Sequence, residues 1–194
     1  LKCSIKKGNI MNTNRLSKAM ETSLIKQMTK ENQASQIYLS LGCWADSTGY
    51  GGIANFLFRH AQEERNHMIK IMMYILERGG TPKVEGVTEH KKLPKNISEC
   101  FNMIFQHEVD NTNAIYALVN QSMDEKDWAT WNFAQWFVKE QTEEEKLALE
   151  LIDKLKIAGG DRATDESLFE LDKYLGNAPD EVPLARESTA ENPE

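Results

Sequence analysis

Four glutamates and one histidine occupy positions where a helical repeat asks for apolar side chains. On a 3.6-residue period, four long segments each yield a stripe suited to burial. The first reads Leu24, Met28, Glu31, Ser35, Tyr38, Leu41, Ala45, and the second Ile53, Leu57, His60, Glu64, His67, Ile71, Ile75. The third reads Ile97, Phe101, Ile104, Glu108, Asn111, Ile115, Leu118, and the fourth Ala134, Phe137, Gln141, Glu144, Ala148, Leu151, Leu155. Each seam is broken near its middle by an acid: Glu31, Glu64, Glu108 and, beside Gln141, Glu144. His67 follows Glu64 by three residues, so both lie on one helix face, a turn apart. Helices of opposite direction share a height only near their centres. The interrupting residues sit at those centres, and packing the four segments together brings four carboxylates and an imidazole to one layer.

Ionised carboxylates buried without partners cost many kcal/mol in lost solvation, and like charges a few ångströms apart resist ionising together. A bound metal pair removes both difficulties. Oxygen-rich ligands with one histidine suit iron or manganese in a helical bundle; a zinc hydrolase needs more histidine, and calcium a ligating loop. Taken singly, an acid on such a stripe is usually a wetted edge residue, and Glu145 is read so. Four at matched height make coincidence a poor account. Two other readings stay beside it: a helical scaffold whose acids are satisfied by a static polar network, and a di-iron oxidase acting on an organic substrate. His60 and His107 are read as surface or supporting groups, and His90 falls between helices. Tyr38 and Trp136 are either core aromatics or, next to a redox metal, donors of a hydrogen bond or an electron.

The elements that position these residues are punctuated clearly. The first helix is expected from about Ser17 to Asp46, before Gly49, Gly51 and Gly52, and the second from about Tyr50 to Arg78, ended by Gly79-Gly80 with Pro82 beyond. The third begins after Pro94, where Asn96 and Glu99 have the spacing of a capping box, and runs to about Asp124. The fourth runs from near Asp127 to Gly159-Gly160, and a short fifth spans Thr164 to Leu175. Short connections make helices one and two, and three and four, antiparallel hairpins. The stretch from Gly79 to Asn96 can extend about 60 Å at ~3.3 Å per residue, enough to run the length of the bundle. The predicted fold is all-α: a four-helix bundle with one long crossover between helices two and three and a short C-terminal fifth helix. Residues 14–175 form the domain. Residues 1–13 are set outside it as a flexible extension, with Met11 an alternative start, and residues 176–194, with three prolines and five acids against one arginine, as a disordered acidic tail.

Composition narrows the function. Lys plus Arg number 23 against 30 Asp plus Glu, a formal charge of −7, which opposes general nucleic-acid binding and favours cations as partners. No apolar run reaches the length of a membrane span. Cys3, Cys43 and Cys100 form no CxxC pair and no even set, which fits a reducing cytoplasm.

At these same residues the sequence resembles the prokaryotic non-haem ferritins. The likeness is carried by Glu31 followed by Tyr38 and Trp44, RHAQEERNHM at 59–68, QHE at 106–108 and QWFVKEQTEEEKL at 135–147, and covers roughly residues 15–175. It implies a ferritin-like fold and a ferroxidase centre in which Glu31, Glu64 and His67 hold one iron, with Glu64 bridging to a second iron held by Glu108 and Glu144. Gln141 lines the second site and Tyr38 stands beside the first iron. A third iron site would use Glu63, Glu140 and Glu143, sharing Glu144. The resemblance further implies oxidation of Fe(II) by O2 or peroxide, ferric mineral stored within a 24-subunit homo-oligomeric cage, and no haem. Bacterioferritin, which carries haem, has a second Glu-x-x-His on the fourth helix where this chain has Gln141-x-x-Glu144. DNA-binding miniferritins lack the fifth helix and differ in histidine spacing.

Overall fold

Apolar side chains at helical spacing organise the molecule into two hairpins laid side by side, seen in a computed structural model that describes residues 11–177. Helix α1 spans Lys18–Ser47, α2 Gly51–Glu77, α3 Ile97–Asp124 and α4 Trp128–Ile157; a 3-10 turn at Gly160–Arg162 leads into α5, Asp165–Gly176. The expected ends agree to within a residue, except that α4 stops at Ile157, two residues before Gly159. Most of the two expected extensions, residues 1–10 and 178–194, lies outside the described residues, and α5 takes in Gly176.

The caps explain the starts. Ser17, Asp127 and Thr164 each accept a backbone N–H three residues on, satisfying an otherwise orphaned donor of the first turn. Asn96 does the same for Glu99 N at 2.8 Å, but the Glu99 carboxylate takes the Lys95 N–H at 3.0 Å, so the expected box is shifted by one residue. Helix α2 has no cap from its own neighbour Tyr50. Asp172 of α5 supplies it, accepting from Gly52 N at 3.0 Å and Ile53 N at 2.8 Å. This contact requires a glycine, because a Cβ on Gly52 would meet the Asp172 carbonyl oxygen at 1.9 Å.

The topology is that of two hairpins joined by a crossover. Arg15 N donates to Arg78 O, joining the start of α1 to the end of α2, and Ser23 donates to Gln121, placing the end of α3 at the same pole. Helices α2 and α3 therefore run parallel. Between them the chain has no regular structure. It follows α1, meeting Glu21 through Thr81 N and Gln33 through Thr88, and so climbs about 18 Å along that helix between the two contacts. The core comes in two parts. One apolar cluster includes Leu41, Ile53, Leu57, Phe101, Ile104 and Leu151; the other includes Met20, Leu24, Ile71, Ile75, Ile115 and Phe137. The polar residues of the four stripes lie between them. No described helix is long and apolar enough to cross a membrane.

Candidate metal centre

Each of the four helices delivers its acid to the layer between the apolar clusters. Glu31 and Glu108 are fully buried, and Glu64, His67, Gln141 and Glu144 are at most 6% exposed. Ligand atoms of Glu31, Glu64 and His67 all lie within 4.8 Å of one another. Two further sets meet the same spacing: Glu64, His107 and Glu108, and Glu63, His67 and Glu140. Glu64 is thus shared between two sets, and His67 between two.

Amide side chains orient the acids. Gln27 Nε2 donates to Glu31 Oε1 at 2.7 Å and to Asn111 Oδ1 at 2.7 Å. Asn111 Nδ2 donates to Glu31 Oε2 at 3.2 Å and to Gln141 Oε1 at 3.3 Å, and Gln141 Nε2 reaches Glu108 Oε2 at 3.3 Å. The Tyr38 hydroxyl donates to Glu108 Oε1 at 2.6 Å. A continuous belt of donors therefore ties Glu31 to Glu108 across the bundle. It leaves Glu64 out. Glu64 Oε2 and His67 Nδ1 approach to 3.5 Å, yet both are buried without a hydrogen-bond partner among the described residues. Native interiors rarely tolerate such atoms without a compensating ligand.

The electrostatics say the same. Burial raises the Glu64 carboxyl well above the ordinary carboxylate range, with Glu108 and Glu31 adding and His67 opposing. Burial, Glu108 and Glu63 raise Glu144 likewise. Burial by itself would lower His67, but the carboxylates of Glu140 and Glu64 outweigh it and hold the imidazole well above its usual value. These acids are short of positive charge, and oxygen ligands with one imidazole make a donor set suited to a hard or borderline divalent cation. The residues present fit a metal pair.

The remaining predicted residues fall in different places. Tyr38, expected beside the first set, has its hydroxyl on Glu108 of the second. Glu144 is buried in the layer but belongs to none of the three close sets. Glu143, expected beside Glu63 and Glu140 at a third position, is exposed, its carboxylate 3.4 Å from Lys139. Adjacent helical residues point about 100° apart, so Glu143 cannot share the inward direction of Glu144. His60 supports the site from behind, its ring 4.1 Å from Phe56 and 5.6 Å from Tyr38, and burial lowers its pKa to about 4. Trp136 stands edge-on to His67 at 5.4 Å, with Lys70 Nζ 4.0 Å over its ring. Sequence reasoning passed over Gln27 and gave Asn111 no task. The available signal was spacing, since Gln27 precedes Glu31 by one turn and Asn111 follows Glu108 by three residues.

Comparison with known proteins gives the lineage. The Ferritin-like domain family model matches residues 21–158. A probable bacterial non-heme ferritin-like protein of Haemophilus influenzae is 38% identical over 151 residues, covering 78% of this chain and 90% of its own length. The bacterial non-heme ferritin of Campylobacter jejuni is 34% identical over 162 residues, 84% of this chain and 95% of that one. Among solved structures, an open pore ferritin of the archaeon Archaeoglobus fulgidus superposes with a TM-score of 0.78 at 36% identity, covering 84% of this chain and 99% of its own. With its helical bundle, its central carboxylate layer and relatives spanning nearly their whole length, this chain belongs to the ferritin family, alongside the bacterial non-haem ferritins.

Proposed function

We propose that the protein is an iron-storage ferritin whose bundle centre oxidises Fe(II). The observation that carries this reading is the buried layer in which Glu64 is common to two close ligand sets and keeps an oxygen without a hydrogen bond. A static polar network that satisfied its acids would give that oxygen a donor.

In this reading Fe(II) is the substrate. One ion takes Glu31, Glu64 and His67; a second takes Glu64, Glu108 and Glu144, with Gln141 lining its site. Each iron gives up one electron, and O2 or peroxide accepts both. Hard carboxylates bind Fe(II) moderately and favour Fe(III), which promotes oxidation. Gln27 and Asn111 hold the two oxygens of Glu31, and Tyr38 and Gln141 hold those of Glu108, so little reorganisation accompanies metal arrival. Glu63 and Glu140, within reach of His67, form a third position for iron, with Glu144 beside them. Glu143 would join it only by turning from Lys139. Ferric product then passes to mineral inside a cytoplasmic shell of twenty-four chains, with residues 14–175 as the working unit and no haem.

Anaerobic Fe(II) titration of the metal-free protein, followed by a pulse of oxygen, tests this. Two or three irons per chain and a rapid absorbance rise that continues with added iron are expected. Glu64→Ala should abolish the rapid phase. Absence of stoichiometric binding would falsify the reading and leave the acids a structural network.

A further inference from the structure

Lys70 stands against the carboxylate layer and ligates nothing in it. It follows His67 by three residues on α2, and Trp136 precedes Glu140 by four on α4, so each is one helical turn from a residue of the layer's outer edge. The two meet across the helices. Lys70 Nζ lies 4.0 Å over the centre of the Trp136 ring, and that ring packs edge-on to the His67 imidazole at 5.4 Å. His67 Nε2 is in turn 3.8 Å from Glu140 Oε1, with Glu63 completing the close set. Two packing contacts therefore connect an ammonium to the third position for iron.

A lysine on a helix ordinarily stretches its head into water or onto a carboxylate. Lys70 is partly buried instead, and among the described residues it makes no hydrogen bond and no ion pair closer than 4.0 Å. Burial pulls its ammonium below the usual lysine range, and the Glu140 carboxylate opposes that pull. Lys139, next to Glu140 in sequence, is exposed and turned to Glu143 at 3.4 Å. The indole face seats the Lys70 charge, since a cation over an aromatic ring is attracted by the ring's quadrupole. Seated there, the charge acts on Glu140 without closing on it. We propose that Lys70 is an affinity-setting residue: its ammonium, held on Trp136, repels a divalent cation at Glu63 and Glu140 and keeps that position weaker than the one at Glu31, Glu64 and His67. This rests on the third position of the reading above and deepens it, because a weak hold is what onward passage of iron requires.

Cobalt(II), of the same charge and similar ligand preference but slow to oxidise, is the probe. It is titrated into the intact metal-free protein, and anomalous diffraction from soaked crystals identifies which positions fill. Lys70→Arg keeps the charge and the aromatic seat, Lys70→Gln removes the charge, and Lys70→Glu reverses it. Affinity at Glu63 and Glu140 should stay level in the first and rise about 3- to 10-fold at each of the next two steps, with added salt shrinking the differences. The position at Glu31, Glu64 and His67 should respond less. A purely structural role, in which Lys70 clamps Trp136 against His67, predicts the opposite sign. Unchanged or weaker binding in Lys70→Gln overturns the proposal, as does metal at Glu31, Glu64 and His67 with none at Glu63 and Glu140 in any variant; both outcomes leave the two-iron centre standing. No metal in the layer of the unaltered protein overturns both. Lys70→Gln decides the matter alone if Lys70→Glu fails to fold.

Discussion

Glu64 differs from the other buried acids in what surrounds it. Glu31 and Glu108 each receive neutral donors on both oxygens, whereas Glu64 faces other acids, one imidazole and an unfilled oxygen. Its charge therefore opposes folding of the metal-free chain. Glu64→Gln should raise the stability of the metal-free protein near neutral pH by about 1 kcal/mol or more, about 2–4 °C in Tm. The same variant should lose the further rise that Co(II) gives the unaltered protein, which differential scanning calorimetry with and without metal will show. Asn111 is the converse case. Its amide joins Glu31 to Gln141 and accepts from Gln27, so Asn111→Leu frees Glu31 to rotate while keeping volume. Metal affinity should fall about 10- to 100-fold in anaerobic titration with little change in helical content. Unchanged affinity would mean that Gln27 alone orients the acid.

At the scale of elements, the dependence of α2 on α5 is the least local feature of the fold. Asp172 caps a helix that begins 120 residues earlier, and Arg59 donates back to Leu175 O at 3.1 Å. Asp172→Ala should cost about 0.5–2 kcal/mol, the ordinary value of a lost N-cap, read as a lower Tm. Gly52→Ala should cost more, because the new Cβ strikes backbone rather than a yielding side chain. If the two variants are equally mild, α5 shifts at little cost and its seat on α2 is loose. The α3–α4 turn is also non-standard, with Lys126 at a φ of 56° where glycine would be unstrained.

For the whole molecule, the buried charges couple stability to pH and to metal. The folded values of Glu64, Glu144 and His67 all lie above their unfolded ones, so from the ordinary carboxylate range upward the native state holds more protons than the unfolded state. Stability of the metal-free protein from these groups is complete at acid pH and is lost as pH rises through the raised values. Burial of His60 acts oppositely, removing stability as pH falls from about 6.5 to about 4. Metal takes the place of the protons, so its stabilising effect should grow with pH, and its binding should release protons. Thermal unfolding with and without Co(II) from about pH 5 to pH 8 checks this; a metal increment independent of pH would rule out ligation by these acids. Assembly is a separate matter. A twenty-four-chain shell predicts a particle of about 530 kDa in gel filtration from the 22.2 kDa chain.

The order and ends of the helices, and the height at which their acids meet, were legible in the sequence. Hydrophobic period, caps and glycine stops are local signals, and the midpoint of a helix is fixed once its ends are. Glu31, Glu64, His67 and Glu108 stood out because an acid in an apolar seam is costly, and that cost is written in the pattern itself. What lay beyond local pattern belonged to the tertiary structure. Only packing decided that Tyr38 donates to Glu108, that Gln27 and Asn111 hold Glu31, and that Glu143 turns to Lys139 while Glu144 stays inside. Only packing set His107 against Glu64 and Asp172 on the start of α2. Periodicity gives the face of one helix. Which side chain of a neighbouring helix meets that face depends on rotation and axial offset between helices, and those are fixed by how the two apolar clusters fill space.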